Sequence, residues 1–303
     1  LVSTSDPKPM IVTRLNGGLG NQLFQYAMGR RTSEVTGQTL KLDTEKFKTC
    51  SLRNYRLIHF NIEATIATQE DKRRLHILRR QDPLALFRYL LDKLRPAHLR
   101  RIIRETNFHF QPALRNINGP AYLDGDWQSP EYFKGAEGQL RREFTLCSPL
   151  DHQDCAAEQE IQATNHSVAI HIRRGDLVSD PTSNETHGTV SMDYYDRAIE
   201  ELLQKLNTPK FFLFSDDPRW AIQNLPKERI QLRPIDHNGP EKDYADLHLM
   251  SQCQHHIIAN STFSWWGAWL ARKPNKRVFY PTPWFKNSPK NTSSLFPIEW
   301  ETI

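Results

Sequence analysis

The stretch VAIHIRRGD, residues 168–176, begins as an apolar strand and ends in His171, Arg173, Arg174 and Asp176. Such charge does not stabilise a buried strand, because each buried charge needs a partner to offset its desolvation. Alternation along an extended chain puts Ala169, His171 and Arg173 on one side, and Val168, Ile170, Ile172 and Arg174 on the other. Arg173 then suits a phosphate: its planar guanidinium matches paired oxygens and stays charged at any relevant pH. Arg174, on the opposite side, is expected to close onto Asp176 as a structural ion pair. A solvated turn holding all four side chains is the alternative.

Two further strand ends supply related chemistry. FFLFSDD (211–217) finishes in Asp216 and Asp217. Adjacent strand residues point to opposite faces, so this pair is not expected to grip one metal ion. Asp217 before Pro218 instead fits a helix cap, and both carboxylates are read as structural. IIANSTFSWWGAWL (257–270) passes from a strand into a helix through Ser261, Thr262, Phe263 and Ser264. Hydroxyls and free amides at a helix N-terminus form a ready phosphate site. Asp246, one helix earlier, has no obvious capping role, and a carboxylate accepting two N–H bonds would read the N1 and N2 edge of guanine.

GGLGNQLF (17–24), followed by Asp43 at the end of the next strand, resembles a dinucleotide fingerprint without completing it. The third glycine, which permits close helix packing, is replaced by Leu23. No Lys-Ser/Thr follows, so the turn is not a P-loop either. Gly18, Asn21 and Gln22 are expected to line a cleft; a tight turn and nothing more is the competing view.

These groups need elements to hold them at one edge. MIVTRL (10–15), the glycine turn, LFQYAMGRRTSEVTG and QTLKLD (38–43) read as strand, turn, helix and strand, with Gly37 as the helix C-terminal glycine. From residue 165 onward strand and helix alternate again, which predicts an α/β protein with doubly wound parallel sheets. At 303 residues the chain is long for one core. Two domains are expected, 1–155 and 156–303, with residues 1–9 as a tail and the polar stretch 147–166 as the linker. Residues 70–105 read as helical and basic, broken by Pro83 and Pro96. They hold eleven Lys/Arg against five Asp/Glu, more than the whole chain's net charge of +5.

Composition narrows the classes. No stretch reaches the roughly 18 unbroken apolar residues of a membrane span. The four cysteines, Cys50, Cys147, Cys155 and Cys253, show no CxxC or Cys/His ligand rhythm, which favours a reducing, cytoplasmic setting without a zinc site. A nucleic-acid binder would interleave its cations with aromatics. The 70–105 stretch has Phe87 and Tyr89 alone for that purpose, so no nucleic-acid partner is expected. It is read either as a solvated helical face or as a contact with an anionic membrane.

With GGLGNQLFQYA, HIRRGD, FLFSDD and IANSTFSWWGAWL in this order, Ile11 to about Trp269 resembles the α1,2-fucosyltransferases of glycosyltransferase family 11. The resemblance implies a GT-B architecture of two facing Rossmann-like domains, the first on the acceptor side and the second binding the donor. It implies GDP-β-L-fucose as donor, a galactose-terminated glycan as acceptor through its 2-hydroxyl, inversion at the anomeric carbon, and no cofactor or required metal. It carries over Arg173 on the donor β-phosphate, His171 beside the nucleotide, Asp246 on guanine and the 261–264 turn around the diphosphate. For the proton acceptor, His187 in NETHG and Asp126 in LDGDWQSP are the candidates; the Lys and Glu that follow the charged strand end in the α1,6-fucosyltransferase relatives do not carry over, since Leu177 follows Asp176 here. Fucosyl transfer of another linkage, or a non-catalytic nucleic-acid-binding role, are the alternative functions.

Overall fold

The computed structural model describes residues 9–50, 53–75, 85–175, 178, 185, 188–287 and 290–303, with backbone alone at 85, 86, 88 and 89. They form two units: one through Thr145 joined by Asn291–Phe296, and one of Leu146–Lys290 joined by Pro297–Ile303.

The first unit runs β1 (Met10–Arg14), α1 (Leu19–Thr36), β2 (Thr39–Asp43), α2 (Glu45–Thr49), β3 (Thr65–Ile66), α3 (Gln69–Arg74), α4 (Ala85–Lys93), β4 (Ile102–Arg104), β5 (Ala121–Asp124) and α5 (Glu137–Glu143). Its strands pair in parallel in the order β3-β2-β1-β5-β4. The expected helical run 70–105 therefore contains a strand: Ile102–Arg104 pairs with β5, where tertiary pairing decides a short Ile-Ile segment. Gly37 ends α1 in the left-handed conformation, φ 66°, donating its N–H to Ser33. Close helix packing is supplied by Gly29, where a Cβ would lie 2.1 Å from Thr13 Oγ1 on β1. The glycine absent at position 23 thus has a counterpart farther along the helix. Asp43, the acidic residue that follows the glycine turn at the end of the next strand, is buried and committed: Tyr122 donates to it at 2.8 Å and Lys72 at 3.1 Å.

The second unit runs α6 (His152–Ala163), β6 (Ser167–Ile172), α7 (Met192–Lys205), β7 (Lys210–Ser215), α8 (Pro218–Asn224), β8 (Gln231–Ile235), α9 (Asp243–Gln252), β9 (His255–Ile257), α10 (Thr262–Leu270), β10 (Val278–Tyr280) and β11 (Glu301–Thr302). The expected linker 147–166 is mostly α6, and the boundary drawn at 155/156 falls inside this helix. Asp151 caps it by accepting from Asp154 N at 3.0 Å. Ala157 and Ile161, four residues apart, give it a buried face too narrow to stand out in the sequence.

All strand pairs are parallel, in the order β11-β10-β9-β6-β7-β8. The edge strand β8 accommodates Pro234, which has no N–H to donate. The predicted alternation in β6 holds. Val168, Ile170 and Ile172 pack with Tyr194, Tyr195, Ile199 and Leu202 of α7. Ala169 faces the other way, among Ala157 and Ile161 of α6, Leu249 and Met250 of α9, and Phe263. Helices thus cover both faces. The chain starts at β6, moves outward through β7 and β8, then returns to the other side of β6 as β9, so the winding reverses between β6 and β9. In open α/β sheets, ligands bind beyond the strand carboxyl ends at that reversal.

Candidate active site

His171 and Arg173 sit at the carboxyl end of β6, beside the reversal point. All six residues of β6 are buried, and the strand stops at Ile172, two residues short of the expected run. The His171 carbonyl accepts from Tyr195 Oη at 3.0 Å, which fixes the strand end onto α7. The imidazole is buried, with its ring centre 5.5 Å from that of Phe263. Desolvation, helped by the charge of Arg173, lowers its pKa to about 3, so the ring is neutral at physiological pH. Its Nδ1 has no hydrogen-bond partner among the described residues. A neutral, buried, unsatisfied ring nitrogen next to a half-buried arginine is a polar group held ready for a ligand.

Arg174 has two structural contacts that the sequence reading did not name. Asp176 lies outside the described residues. The Arg174 guanidinium lies 3.6 Å from the centre of the Trp220 ring, and its Nε is 3.6 Å from Asp217 Oδ2. That separation is an ion pair rather than a hydrogen bond. Asp217 also caps α8, accepting from Trp220 N at 3.3 Å, so one helix start positions both the ring and the carboxylate. Asp216 accepts from Arg174 N at 2.7 Å. A Cβ at the neighbouring Gly175 would stand 2.7 Å from Asp216 Oδ2, so a side chain there would displace that carboxylate. Asp216 therefore holds the backbone of Arg174, and Asp217 its guanidinium.

Beyond β9, Ser261 caps α10 by accepting from Phe263 N at 3.3 Å. Ser264 departs from expectation: it is fully buried, and its hydroxyl turns back to Ala259 O at 3.4 Å and Ser261 O at 3.2 Å. Its role is to shape the turn. Thr262 and Phe263 are half-buried at the helix N-terminus. Asn260, which sequence reasoning missed, is buried and donates to Gly188 O at 3.0 Å. No pattern in the sequence marks this loop-to-loop contact.

Asp246 lies on α9, whose Leu249 and Met250 share the Ala169 face of the sheet. Past the end of β8, Asn238 Nδ2 bridges two carboxylates, Asp246 Oδ1 at 2.9 Å and Asp154 Oδ1 at 2.7 Å. Asp154, buried on α6, also meets His237 Nε2 at 2.9 Å. Desolvation is the main cause raising the Asp246 pKa, to about 7, with the charges of Asp154 and Asp243 adding to it and Asn238 and His237 opposing. The sequence showed an isolated acid; the fold makes it one end of a hydrogen-bonded cluster.

In the first unit, Gln22 does not line a cleft. It is fully buried, donating to Gly17 O at 3.0 Å and Asn54 O at 2.8 Å and accepting from Arg56 N at 2.9 Å. Asn21 accepts from Gln128 Nε2 at 3.4 Å, and Gly18 is the extended residue before α1, φ −75°. Asp126 is half-buried on a tight turn just past β5. There the Glu105 carboxylate accepts from Asp126 N at 2.8 Å and Trp127 N at 3.0 Å, and Trp127 takes a left-handed φ of 55°. Such a conformation is unusual for a bulky residue and is held by that carboxylate. His187 lies outside the described residues.

A doubly wound parallel sheet with a neutral histidine, an arginine and a helix N-terminus at its reversal point is an α/β unit of the kind found in GT-B glycosyltransferases. The profile of Glycosyl transferase family 11 matches residues 7–303, and the chain belongs to that family. It is 33% identical over 303 residues to an α-1,2-colitosyltransferase of Escherichia coli, covering 97% of this chain and 99% of that one. It is 28% identical over 200 residues to galactoside α-(1,2)-fucosyltransferase 2 of Sus scrofa, covering 61% and 57%. Among solved structures, Arabidopsis thaliana FUT1 in complex with GDP matches with a TM-score of 0.56, 14% identity and coverage of 92% and 71%. NodZ α-1,6-fucosyltransferase soaked with GDP-fucose matches with a TM-score of 0.51, 15% identity and coverage of 87% and 93%. Among the described residues, no helix is long and apolar enough to cross a membrane, and no three His, Cys, Asp or Glu side chains group as a metal site.

Proposed function

We propose that the protein transfers L-fucose from GDP-β-L-fucose to the 2-hydroxyl of a β-galactoside, with inversion, as a step in surface glycan synthesis. The observation that carries this reading is the neutral, unsatisfied His171 at the β6 carboxyl end, next to Arg173 and packed on Phe263 at the start of α10. The second unit is the donor side and the first the acceptor side. Arg173 meets the β-phosphate, aided by the 261–263 turn, and Asp246 accepts from guanine N1 and N2. The acceptor oxygen attacks the anomeric carbon while the bond to the diphosphate breaks, through an oxocarbenium-like state. Arg173 stabilises the charge growing on the leaving diphosphate, an effect of roughly 3–4 kcal/mol at comparable sites. The acceptor proton passes to Asp126 or His187, and neutralisation by Arg173 makes a metal unnecessary.

The colitosyltransferase relative supports a second reading of the donor, since colitose is fucose without its 3-hydroxyl. Pairing each GDP-sugar with a panel of galactosides, followed by linkage analysis, tests both. A fucosyl enzyme that hydrogen-bonds the 3-hydroxyl discriminates against the deoxy sugar by about 10⁴-fold or more, because its own polar groups would be left unpaired. No transfer of either sugar, or a linkage other than α1,2, would overturn the proposal.

A further inference from the structure

Helix α4 presents apolar side chains to solvent. Phe87, Leu90, Leu91 and Leu94 recur at the spacing of one helical face, yet all four are exposed, Leu94 by 82%. Among the described side chains, polar contacts tie the segment down. The Asp92 carboxylate, 12% exposed, accepts from Arg101 N at 3.0 Å and Ile102 N at 3.1 Å, anchoring α4 to β4. Arg100 donates to Arg95 O at 2.9 Å and Lys93 O at 3.1 Å, satisfying carbonyls at the helix end. Leu99, in the turn that follows, is exposed as well.

Charge gathers on the same segment. Residues 85–104 hold six Lys/Arg against Asp92 alone, a net +5 that equals the charge of the whole 303-residue chain. Lys93, Arg95 and Arg101 are exposed beside the apolar stripe. We propose that the exposed face of α4 and its flanking turn dock on an anionic lipid bilayer, with the leucines entering the acyl boundary and the arginines and lysine meeting headgroup phosphates. An interfacial helix combines these two features, apolar burial and attraction to anionic lipid. Charge complementarity selects this occupant over a second copy of the chain, which would set one +5 segment against another. The inference stands independently of the sugar chemistry.

Co-sedimentation with vesicles tests it. The protein is expected to pellet with phosphatidylcholine vesicles containing about one third phosphatidylglycerol and not with phosphatidylcholine alone, and to lose binding as salt rises from about 0.1 M to about 0.5 M. Leu90→Ser and Leu94→Ser are each expected to weaken binding by about tenfold or more. Lys93→Ala and Arg101→Ala are each expected to weaken it about fivefold, the equivalent of about 1 kcal/mol per basic residue near such a surface. The Leu90 and Leu94 side chains are exposed, so unchanged melting temperatures and unchanged turnover of a soluble acceptor should accompany the losses in the two leucine variants. Absence of binding, equal binding to neutral vesicles, or a dimer in sedimentation equilibrium that Leu94→Ser dissociates would overturn the proposal.

Discussion

Asp246→Asn separates recognition from stability at one residue. The proposed guanine contact needs an ionised carboxylate, yet desolvation raises the group to about pKa 7. The groups bearing on it are Asn238 and His237 beyond β8, Asp154 on α6 and Asp243 on its own helix. Below that pKa the carboxyl is protonated and must ionise before binding, so affinity falls about tenfold per pH unit. Between about pH 8.5 and about pH 5.5 the loss is roughly 30-fold. Asn at this position offers one acceptor and no charge, which costs on the order of 2–3 kcal/mol, or about 30- to 150-fold in donor affinity. Stability moves the other way. A carboxyl whose folded pKa is raised costs the fold stability as pH climbs from about 4, where the unfolded chain ionises, to about 7, where the folded group does, so Asn leaves stability unchanged below about pH 4, raises it progressively up to about pH 7 and adds nothing further above. The assay is calorimetric titration with the GDP-sugar across that range, paired with thermal melts. The sugar nucleotide is preferable to GDP, whose terminal phosphate itself titrates near pH 6. A flat affinity profile in the parent protein, or an Asn variant that binds the donor as well as the parent, would refute the assignment.

Asp154→Asn removes a negative charge that raises the Asp246 pKa, so the acidic limb of donor binding should shift to lower pH, while loss of a buried charged partner lowers the melting temperature. Arg173→Ala is expected to lower turnover by about 10²- to 10³-fold, measured at saturating donor; near-normal turnover would remove it from the reaction. Gln22→Ala deletes three hydrogen bonds in the first unit and should cost about 2–3 kcal/mol in chemical denaturation with the donor KM unchanged. Gly29→Ala forces a methyl against Thr13 Oγ1 and should destabilise by about 1–3 kcal/mol, with Thr13→Ala in the same chain restoring part of the loss.

The period-two pattern of β6 made its two faces legible because a strand buried on both sides can satisfy them in one register alone. It could be read without a partner: Val168, Ile170 and Ile172 sorted from Ala169 and His171, as the packing bears out. Contacts made across long chain separations were not legible. Nothing in RGD tells that Arg174 leans on Trp220 and Asp217, more than forty residues away. Gln22 shows the same failure inverted: a polar residue in the first turn of a helix suggests a cleft, but its hydrogen bonds are spent holding residues 54 and 56. Helix α6 escaped because its buried face is made of Asp154, Ala157 and Ile161, a charged, a small and a single long apolar residue. The raised pKa of Asp246 depends on burial and on three separate elements, which no local window contains.

The return of Asn291–Phe296 to the first unit bears on how the protein is made. Phe110 N donates to Ser294 Oγ at 2.9 Å, and Ser129 Oγ donates to Ser294 O at 2.6 Å. During synthesis, residues 110 and 129 leave the ribosome long before residue 294 is added. At roughly 5–20 residues per second, the first unit waits on the order of 10–30 s for its final piece, while the whole of α6 to β10 emerges. Nascent chains stalled before residue 291 should therefore be more susceptible to protease around residues 110 and 129 than chains released at full length.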